Sequence, residues 1–180
     1  MGAQALKLMA IHEAGTPTAP IEALIAAFVA GAHDAGLIAL VEGIVRGPDG
    51  GAVTADAFLA STVAMARGAD LYKAQTPIFG GTDDASITAL SREISAAITA
   101  PWVVLSTGVA EDAFPAAVAA ACRGGASGFL AGRGIWASAI ATDDPVAALR
   151  GPARDRLVTL RSIVAAEARP WHEAPGASRR

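Results

Sequence analysis

A lysine, Lys73, stands in a short, mostly apolar segment at residues 69–74, which follows Gly68 and precedes the sequence Gln-Thr-Pro. Such bounds are typical of a strand. A buried ammonium is costly, so burial lowers the pKa of a lysine and leaves some neutral amine, which is a nucleophile toward carbonyl carbon. By itself, this segment favours the alternative in which the lysine reaches solvent or pairs with an acid. The choice between a nucleophilic and a structural lysine therefore depends on the residues of the neighbouring strands.

Further side chains that could take part in a reaction stand at the ends or inner faces of the predicted strands. Parallel strands bring these ends to one rim, where α/β enzymes keep their sites. A second cation, Lys7, would disfavour protonation of Lys73, and Glu42 could move protons during cleavage of a carbon–carbon bond. The complete candidate set is Lys7, Glu42, Lys73, Ser106, Gly108, Gly132 and Arg133.

Two turns in this set are suited to a phosphate. Ser106-Thr107-Gly108 and Gly132-Arg133 each follow a predicted strand and precede a predicted helix. Glycine lets backbone N–H groups approach an anion, a helix N-terminus adds a favourable dipole, and arginine adds a fork of donors. The alternatives are an ordinary strand-to-helix turn for the first, which is commoner, and a simple loop for the second.

Several of the polar and aromatic side chains also allow a purely structural explanation. Lys7 and Glu42 are equally well explained as a buried ion pair. For His12 and His33 we predict a structural role. For Trp102 and Trp136 we predict packing and not ligand binding.

Five apolar segments predict strands, and amphipathic or capped segments between them predict helices. The strands cover 3–11, 37–42, 69–74, 101–105 and 127–131. Helices are expected over 21–35, 55–67 with Thr54 as cap, from Asp83 or Asp84 to about 99, from Glu111 to 122 or 123, over 135–140, from Asp144 or Pro145, and from Pro152 to about 168. Residues 1–168 would form one domain, followed by a mobile tail over 169–180.

Strands alternating with helices predict an α/β protein with a parallel sheet. The first strand is apolar on both faces, as expected of a parallel strand covered on both sides. A closed (β/α)₈ barrel needs about 250 residues and eight strands, so periodicity alone favours an open, flavodoxin-like sheet for these 180 residues.

Composition narrows the classes of function. A formal charge of −3, scattered arginines and few aromatic residues predict no nucleic-acid partner. No apolar run is long enough to span a bilayer, and the first residues lack the basic start and apolar middle of a signal peptide, so a cytoplasmic location is expected. The single cysteine, Cys122, excludes an intramolecular disulfide and a cysteine-rich metal site.

Three segments carry a resemblance to a known family. GADLYKAQTP, PWVVLSTGV and GASGFLAGRGIWASAI resemble, in order and spacing, the class I ketose-bisphosphate aldolases of the tagatose-1,6-bisphosphate aldolase type, and most of all the branch that includes sulfofructose-phosphate aldolase. AQALKLM and LIALVEGIVR resemble that family's lysine and glutamate strands. The likeness extends from about residue 2 to 140.

The resemblance implies a (β/α)₈ barrel in place of the open sheet, here an incomplete barrel of about five parallel strands with flanking helices. It implies that Lys73 forms a Schiff base, with Glu42 as acid/base residue and Lys7 as a second active-site lysine. Ser106, Gly108, Gly132 and Arg133 would surround the phosphate of a small phosphorylated ketose. Neither a metal nor another cofactor is implied, because the iminium accepts the electrons.

The resemblance also has a structural consequence. The sequence begins where the family's fourth strand would stand, so the first three βα units of the family pattern are not represented. Five units cannot close a barrel, and the terminal strands would expose unpaired edges. We therefore expect either a homo-oligomer or association with a missing N-terminal half. A non-catalytic barrel fragment, and a phosphate-binding isomerase or synthase without a covalent lysine, are the alternative functions.

Overall fold

A parallel four-stranded sheet lies at the centre of the computed structural model, which describes residues 2–174, 176 and 177. Its strands follow chain order: β1 (Ala5–Glu13), β2 (Ile38–Arg46), β3 (Leu71–Gln75) and β4 (Trp102–Leu105). All three pairings are parallel. Each connection therefore has to cross back over the sheet, and the chain does so with a helix every time.

The crossover helices pack on one face of the sheet. They are α1 (Ala19–Asp34), α2 (Ala55–Ala66), α3 (Asp84–Ala97) and α4 (Phe114–Arg123). After α4 come α5 (Arg133–Ile140), α6 (Pro145–Ala148) and α7 (Arg154–Glu167), with a π-helical turn over Leu149–Ala153 and 3₁₀ turns over Pro48–Gly50 and Trp171–Glu173. No helix in the described part of the chain is long and apolar enough to cross a membrane.

The predicted helix caps are confirmed. The Thr54 hydroxyl accepts a hydrogen bond from the N–H of Ala57 at 3.2 Å, and the Asp83 carboxylate accepts one from the N–H of Ser86 at 3.0 Å. These contacts satisfy N–H groups that have no partner inside α2 and α3. Asp144 caps α6 in the same way, through the N–H of Ala147.

The two faces of the sheet differ in their environment. On the helix-covered face Val41, Tyr72 and Val104 are completely buried. We call the opposite face the inner face. Two side chains of β1 on this face are exposed to solvent, Met9 at 54% and Ile11 at 43%. The prediction that β1 is covered on both sides is therefore wrong. Helices on one face form a barrel wall, whereas a doubly wound sheet has them on both.

The bounds of the first two strands differ from the prediction. β1 keeps its predicted length but begins and ends two residues later, at Ala5 and Glu13, whereas β2 is longer than predicted. The prediction ends β2 at residue 42, but the strand continues to Arg46 because β1 pairs with it in register as far as Glu13. Glu42 consequently lies in the middle of a strand and not at its end.

The predicted fifth strand is reduced to a short segment over residues 127–130. It pairs with β4 through a single bridge, Val104 to Phe129, and three backbone hydrogen bonds of 2.8–3.0 Å. Gly128 has a φ of +136°, which interrupts the extended backbone and prevents a regular strand. The segment still runs parallel to β4, in the position of a fifth strand.

Three further boundaries also differ. The helix expected from Glu111 begins at Phe114, after a turn. Pro152 lies inside the π-helical turn and does not begin α7. The tail contains a 3₁₀ turn at Trp171–Glu173, and its predicted mobility stays a prediction; residues 175 and 178–180 of that tail lie outside the described residues.

Candidate active site

Two lysines and a glutamate meet on the inner face of the sheet. Glu42 of β2 and Lys73 of β3 are register partners, and Lys7 of β1 pairs with Leu40, two residues before Glu42. Because side chains of one strand alternate between the faces, all three project to the same side. The sequence contains only these two lysines, against twelve arginines, and both stand beside the same carboxylate.

The distances define an amine–carboxylate cluster of Lys7, Glu42 and Lys73. Oε2 of Glu42 lies 2.5 Å from Nζ of Lys7 and 3.2 Å from Nζ of Lys73. The Lys73 side chain is only 15% exposed, whereas the Lys7 side chain is 51% exposed. Lys73 is therefore the sheltered amine, and Lys7 lies at the open edge.

The charge state of Glu42 follows from this geometry. Burial is the largest single influence and would raise the pKa of Glu42. The hydrogen bond from Lys7, the charge of Lys73 and its hydrogen bond act in the opposite direction, and together they hold the pKa below its usual value. At neutral pH the group is a carboxylate that accepts hydrogen bonds and can accept a proton.

The cluster forms one wall of a cleft of about 380 Å³, called the polar cleft below. The opposite wall comes from the turn after β4 and from the start of α5. The residues that line it are Lys7, Glu42, Lys73, Leu105, Ser106, Thr107, Leu130, Ala131, Gly132, Arg133 and Trp136. Six of the seven predicted site residues thus share one cleft.

Gly108 is the predicted site residue that the structure places elsewhere. It lines a neighbouring cleft with Ile78 and Val109, behind the turn that carries Ser106. Its φ of +85° is strained for residues with a side chain, so glycine allows the chain to turn away from β4 at this point. Gly108 therefore lies at a turn behind the polar cleft and does not line it.

The start of α5 is arranged to receive an anion. The helix begins at Arg133 beside Gly132, and its first backbone N–H groups lack partners within the helix. Among the described residues, no side chain pairs with the Arg133 guanidinium or the Ser106 hydroxyl. A phosphate would therefore meet unengaged donors from two turns, with the helix dipole in its favour.

Close packing brings these two turns together. A Cβ atom added to Gly134 would lie 2.5 Å from Oγ and 2.7 Å from Cβ of Ser106, so the first turn of α5 rests directly on the Ser106 side chain. Gly134 directly follows the predicted Gly132-Arg133 turn in the sequence, but its contact with Ser106 depends on the tertiary structure.

Two positioning residues were missed at the sequence level. Thr76 donates a hydrogen bond to the carbonyl of Leu105 at 2.7 Å, and Gln75 accepts one from the N–H of Val45 at 2.7 Å. These contacts tie the ends of β2, β3 and β4 together beside the polar cleft. Both residues follow the Lys73 strand directly, where the sequence indicated only the end of a strand.

The histidines have structural partners, as predicted. His12 shares a 3.0 Å hydrogen bond with Ser61, and His33 shares one of 2.9 Å with Asp70. Trp102 is buried and donates to Ser95, which confirms packing.

Trp136 differs from that prediction because it is 38% exposed and lines the polar cleft. Among the described residues, no group of three or more histidine, cysteine, aspartate or glutamate side chains is arranged to hold a metal ion.

Sequence comparison relates the chain to one protein family. The sequence profile described as DeoC/LacD family aldolase matches residues 1–138, which is more than three quarters of the chain. The matched region contains every residue of the amine–carboxylate cluster and both turns of the polar cleft.

One solved structure shows the fold, and a second is less similar. The fructose-bisphosphate aldolase of Plasmodium falciparum, solved with TRAP and a small-molecule inhibitor, superposes with a TM-score of 0.68 at 17% identity, over 93% of this chain and 59% of that one. The YdjI aldolase of Escherichia coli K12 gives a TM-score of 0.43 at 13% identity, over 89% and 57%. This chain therefore spans less than two thirds of the length of either protein.

Proposed function

This chain belongs to the DeoC/LacD family of aldolases, and we propose that it acts as a class I aldolase whose covalent lysine is Lys73. The reaction is the reversible cleavage of a phosphorylated ketose into dihydroxyacetone phosphate and an aldehyde. The observation that carries the proposal is the position of a sheltered amine 3.2 Å from a carboxylate, on the wall of a cleft with unengaged anion donors.

The first step is formation of the Schiff base. The neutral amine of Lys73 attacks the ketone carbon of the substrate, and loss of water leaves an iminium with a positive charge on nitrogen. Glu42 is well placed to accept the amine proton beforehand and to return one to the departing hydroxyl, because its oxygen lies within hydrogen-bond distance of Lys73.

The second step breaks the carbon–carbon bond. A base removes the proton from the hydroxyl that becomes the aldehyde, and the bonding electron pair flows into the iminium to give an enamine. Protonation of the enamine carbon and hydrolysis then release dihydroxyacetone phosphate. We assign the proton transfers to Glu42, whose lowered pKa keeps it ionised at neutral pH, with Lys7 holding the carboxylate in place.

The phosphate of the substrate binds in the polar cleft between Ser106 and the first turn of α5. Arg133 supplies a guanidinium, Gly132 allows close approach of the backbone, and the helix N-terminus contributes its dipole. These interactions act on a part of the substrate that does not react. They therefore orient the ketone carbon toward Lys73.

The substrate is proposed to be of the tagatose-bisphosphate or sulfofructose-phosphate type. Both carry a second anionic group at the end that becomes the aldehyde. Arg46 is the arginine of β2. It lies at the end of that strand, on the same face as Glu42, and is exposed to solvent. It lines a third cleft of about 470 Å³ beyond the cluster, where such a group would fit.

Borohydride trapping tests the covalent role. Reduction of the protein in the presence of dihydroxyacetone phosphate should convert an iminium on Lys73 into a stable secondary amine, located by peptide mass spectrometry. The chain offers only two side-chain amines, so the assignment is simple. Folded protein in which Lys73 stays unmodified would refute the aldolase and favour the isomerase or synthase alternative.

Assembly is a second part of the proposal. β1 has an unpaired edge within the described structure, and its Met9 and Ile11 side chains are exposed on the inner face. Beside them the inner face continues into an apolar cleft of about 530 Å³ that includes Leu40, Val103 and Phe129. We propose that another polypeptide, either a second copy or the remaining strands of a barrel, covers this surface in the active protein.

A further inference from the structure

A cluster of polar side chains outside the polar cleft joins three segments of the chain. Arg156, in the first turn of α7, pairs with Glu111 at 2.6 Å and donates to Oγ of Ser138 at 3.0 Å. Ser138 in turn donates to the other oxygen of Glu111 at 2.9 Å, and Arg156 also donates to the carbonyl of Ile135. Ser138 and Ile135 belong to α5, and Glu111 to the segment between β4 and α4.

The contact between Arg156 and Glu111 is short compared with the other ion pairs of the described chain. Outside the amine–carboxylate cluster, this 2.6 Å contact is the shortest ion pair between described residues, and the Arg156 side chain is only 24% exposed. Exposed pairs such as Arg154 with Asp155, at 3.8 Å, contribute little. A guanidinium that engages a carboxylate, a hydroxyl and a carbonyl together is held in one orientation.

Helix α5 depends on such contacts. It has eight residues, fewer than an isolated helix needs for stability, and only Ile135 and Ala139 are buried. Gly134 in its first turn packs against Ser106. Arg156 donates hydrogen bonds to the Ile135 carbonyl and the Ser138 hydroxyl of the same helix. Glu111 stands five residues after Ser106 in the same connecting segment.

We infer that Arg156, Glu111 and Ser138 form a clamp that positions the phosphate-binding turn of α5 against the Ser106 turn. None of the three lines the polar cleft, so they are positioning residues and not catalytic ones. The inference rests on the proposed function, because it assigns the two turns to a phosphate. It predicts that loss of the clamp separates the turns and weakens phosphate binding without removing any donor.

The test compares Arg156→Gln with Arg123→Gln. Arg123 forms ion pairs from α4 to Asp84 and Glu167, and neither partner belongs to α5, so its variant controls for the general loss of an inter-helix ion pair. In the full chain, amide hydrogen exchange over residues 133–140 should become about tenfold faster in Arg156→Gln and stay unchanged in Arg123→Gln. Arg156→Lys should resemble Arg156→Gln, because the partners of Arg156 lie around two guanidinium nitrogens and an ammonium offers only one.

Binding of inorganic phosphate, measured by titration calorimetry, gives the functional outcome. The dissociation constant should rise about tenfold in Arg156→Gln and in Glu111→Gln, but not in Arg123→Gln. With the ketose phosphate as substrate, KM should rise similarly while kcat changes less than about threefold, since the reacting groups stay in place.

The outcomes separate the two proposals. Unchanged exchange in α5, or unchanged phosphate affinity in Arg156→Gln, would refute the clamp. If the unaltered chain binds no phosphate while exchange in α5 still responds to Arg156→Gln, the proposed function fails and the contact is only structural. A charge-reversed double variant, Glu111→Arg with Arg156→Glu, should recover part of the lost affinity if the pair acts as proposed.

Discussion

At the scale of the residue, Glu42 determines what the neighbouring amines can do. Its carboxylate lies 2.5 Å from Lys7 and 3.2 Å from Lys73. The sequence left an ion pair and a catalytic group equally open for Lys7 and Glu42, and the structure contains the ion pair. The two explanations are compatible, because an acid/base residue must itself be held in place.

The two lysines should differ when each is replaced by methionine. Lys73→Met should abolish borohydride trapping and lower the aldolase rate by about 10³-fold or more, because the nucleophile is gone. Lys7→Met should retain trapping and lower the rate only about tenfold, the effect of one charged hydrogen bond. The measurements are adduct mass and initial rate. Trapping on Lys7 in the Lys73→Met protein would reverse the assignment.

The lowered pKa of Glu42 predicts how stability depends on pH. In the unfolded chain this carboxyl binds a proton more readily than in the folded one, so its stabilising effect is complete above its usual pKa and is lost as pH falls through the lower, folded value. The free energy of unfolding in urea should therefore fall below about pH 5 in the unaltered chain. Glu42→Gln should show a smaller fall over that range, and equal slopes would contradict the ion pair.

At the scale of the element, the close approach of β2 and β3 depends on a glycine on the face opposite the cluster. Gly43 follows Glu42 and faces the buried ring of Tyr72. A Cβ atom added at Gly43 would overlap the Tyr72 hydroxyl and lie 2.7 Å from Cζ. The absence of a side chain there lets the strands approach closely enough for Glu42 to reach Lys73.

Gly43→Ala should therefore destabilise the fold and disturb the site. Overpacking a closed core costs about 1–3 kcal/mol, and we expect a loss of that size in the free energy of unfolding, together with reduced trapping on Lys73. Gly31→Ala is the matched control. It lies in α1 with no atom within 4 Å of the added Cβ, so it should stabilise the protein slightly, by up to about 1 kcal/mol. Similar effects of the two changes would contradict the close contact.

Local patterns predicted most elements, but some boundaries depended on pairing. Thr54 and Asp83 identified their helix starts because a cap is a contact between residues three apart. The extension of β2 to Arg46 could not be predicted, because only its partner β1 supplies the hydrogen bonds that keep a glycine-containing segment extended. The reduction of the fifth strand depends on the backbone conformation at Gly128.

At the scale of the whole molecule, the sheet is a barrel wall that stays open on its inner face. Its parallel order and one-sided helices match the fructose-bisphosphate aldolase fold over 59% of that protein. Exposed apolar side chains on an unpaired edge strand are a surface to which another chain can add.

Light scattering should therefore give a mass well above the 18.0 kDa of one chain. Met9→Asp, on the exposed inner face, should shift the protein toward the monomer, because a carboxylate there opposes burial. Leu24→Asp is the matched control, since Leu24 is similarly exposed, at 51%, but lies on α1. A monodisperse monomer before any substitution would contradict the assembly proposal.

The sequence by itself determined the residues with reactive side chains, the alternation of strands and helices, and the order in which the cluster and the turns follow one another. These properties are local, because they depend on residue type and on spacing within one element. The tertiary structure alone decided that Lys7 and Lys73 share the carboxylate of Glu42, that Gly108 lies behind the cleft, and that Arg156 reaches α5. Such contacts join residues far apart in the chain, and only strand register and helix packing bring them within a few ångströms.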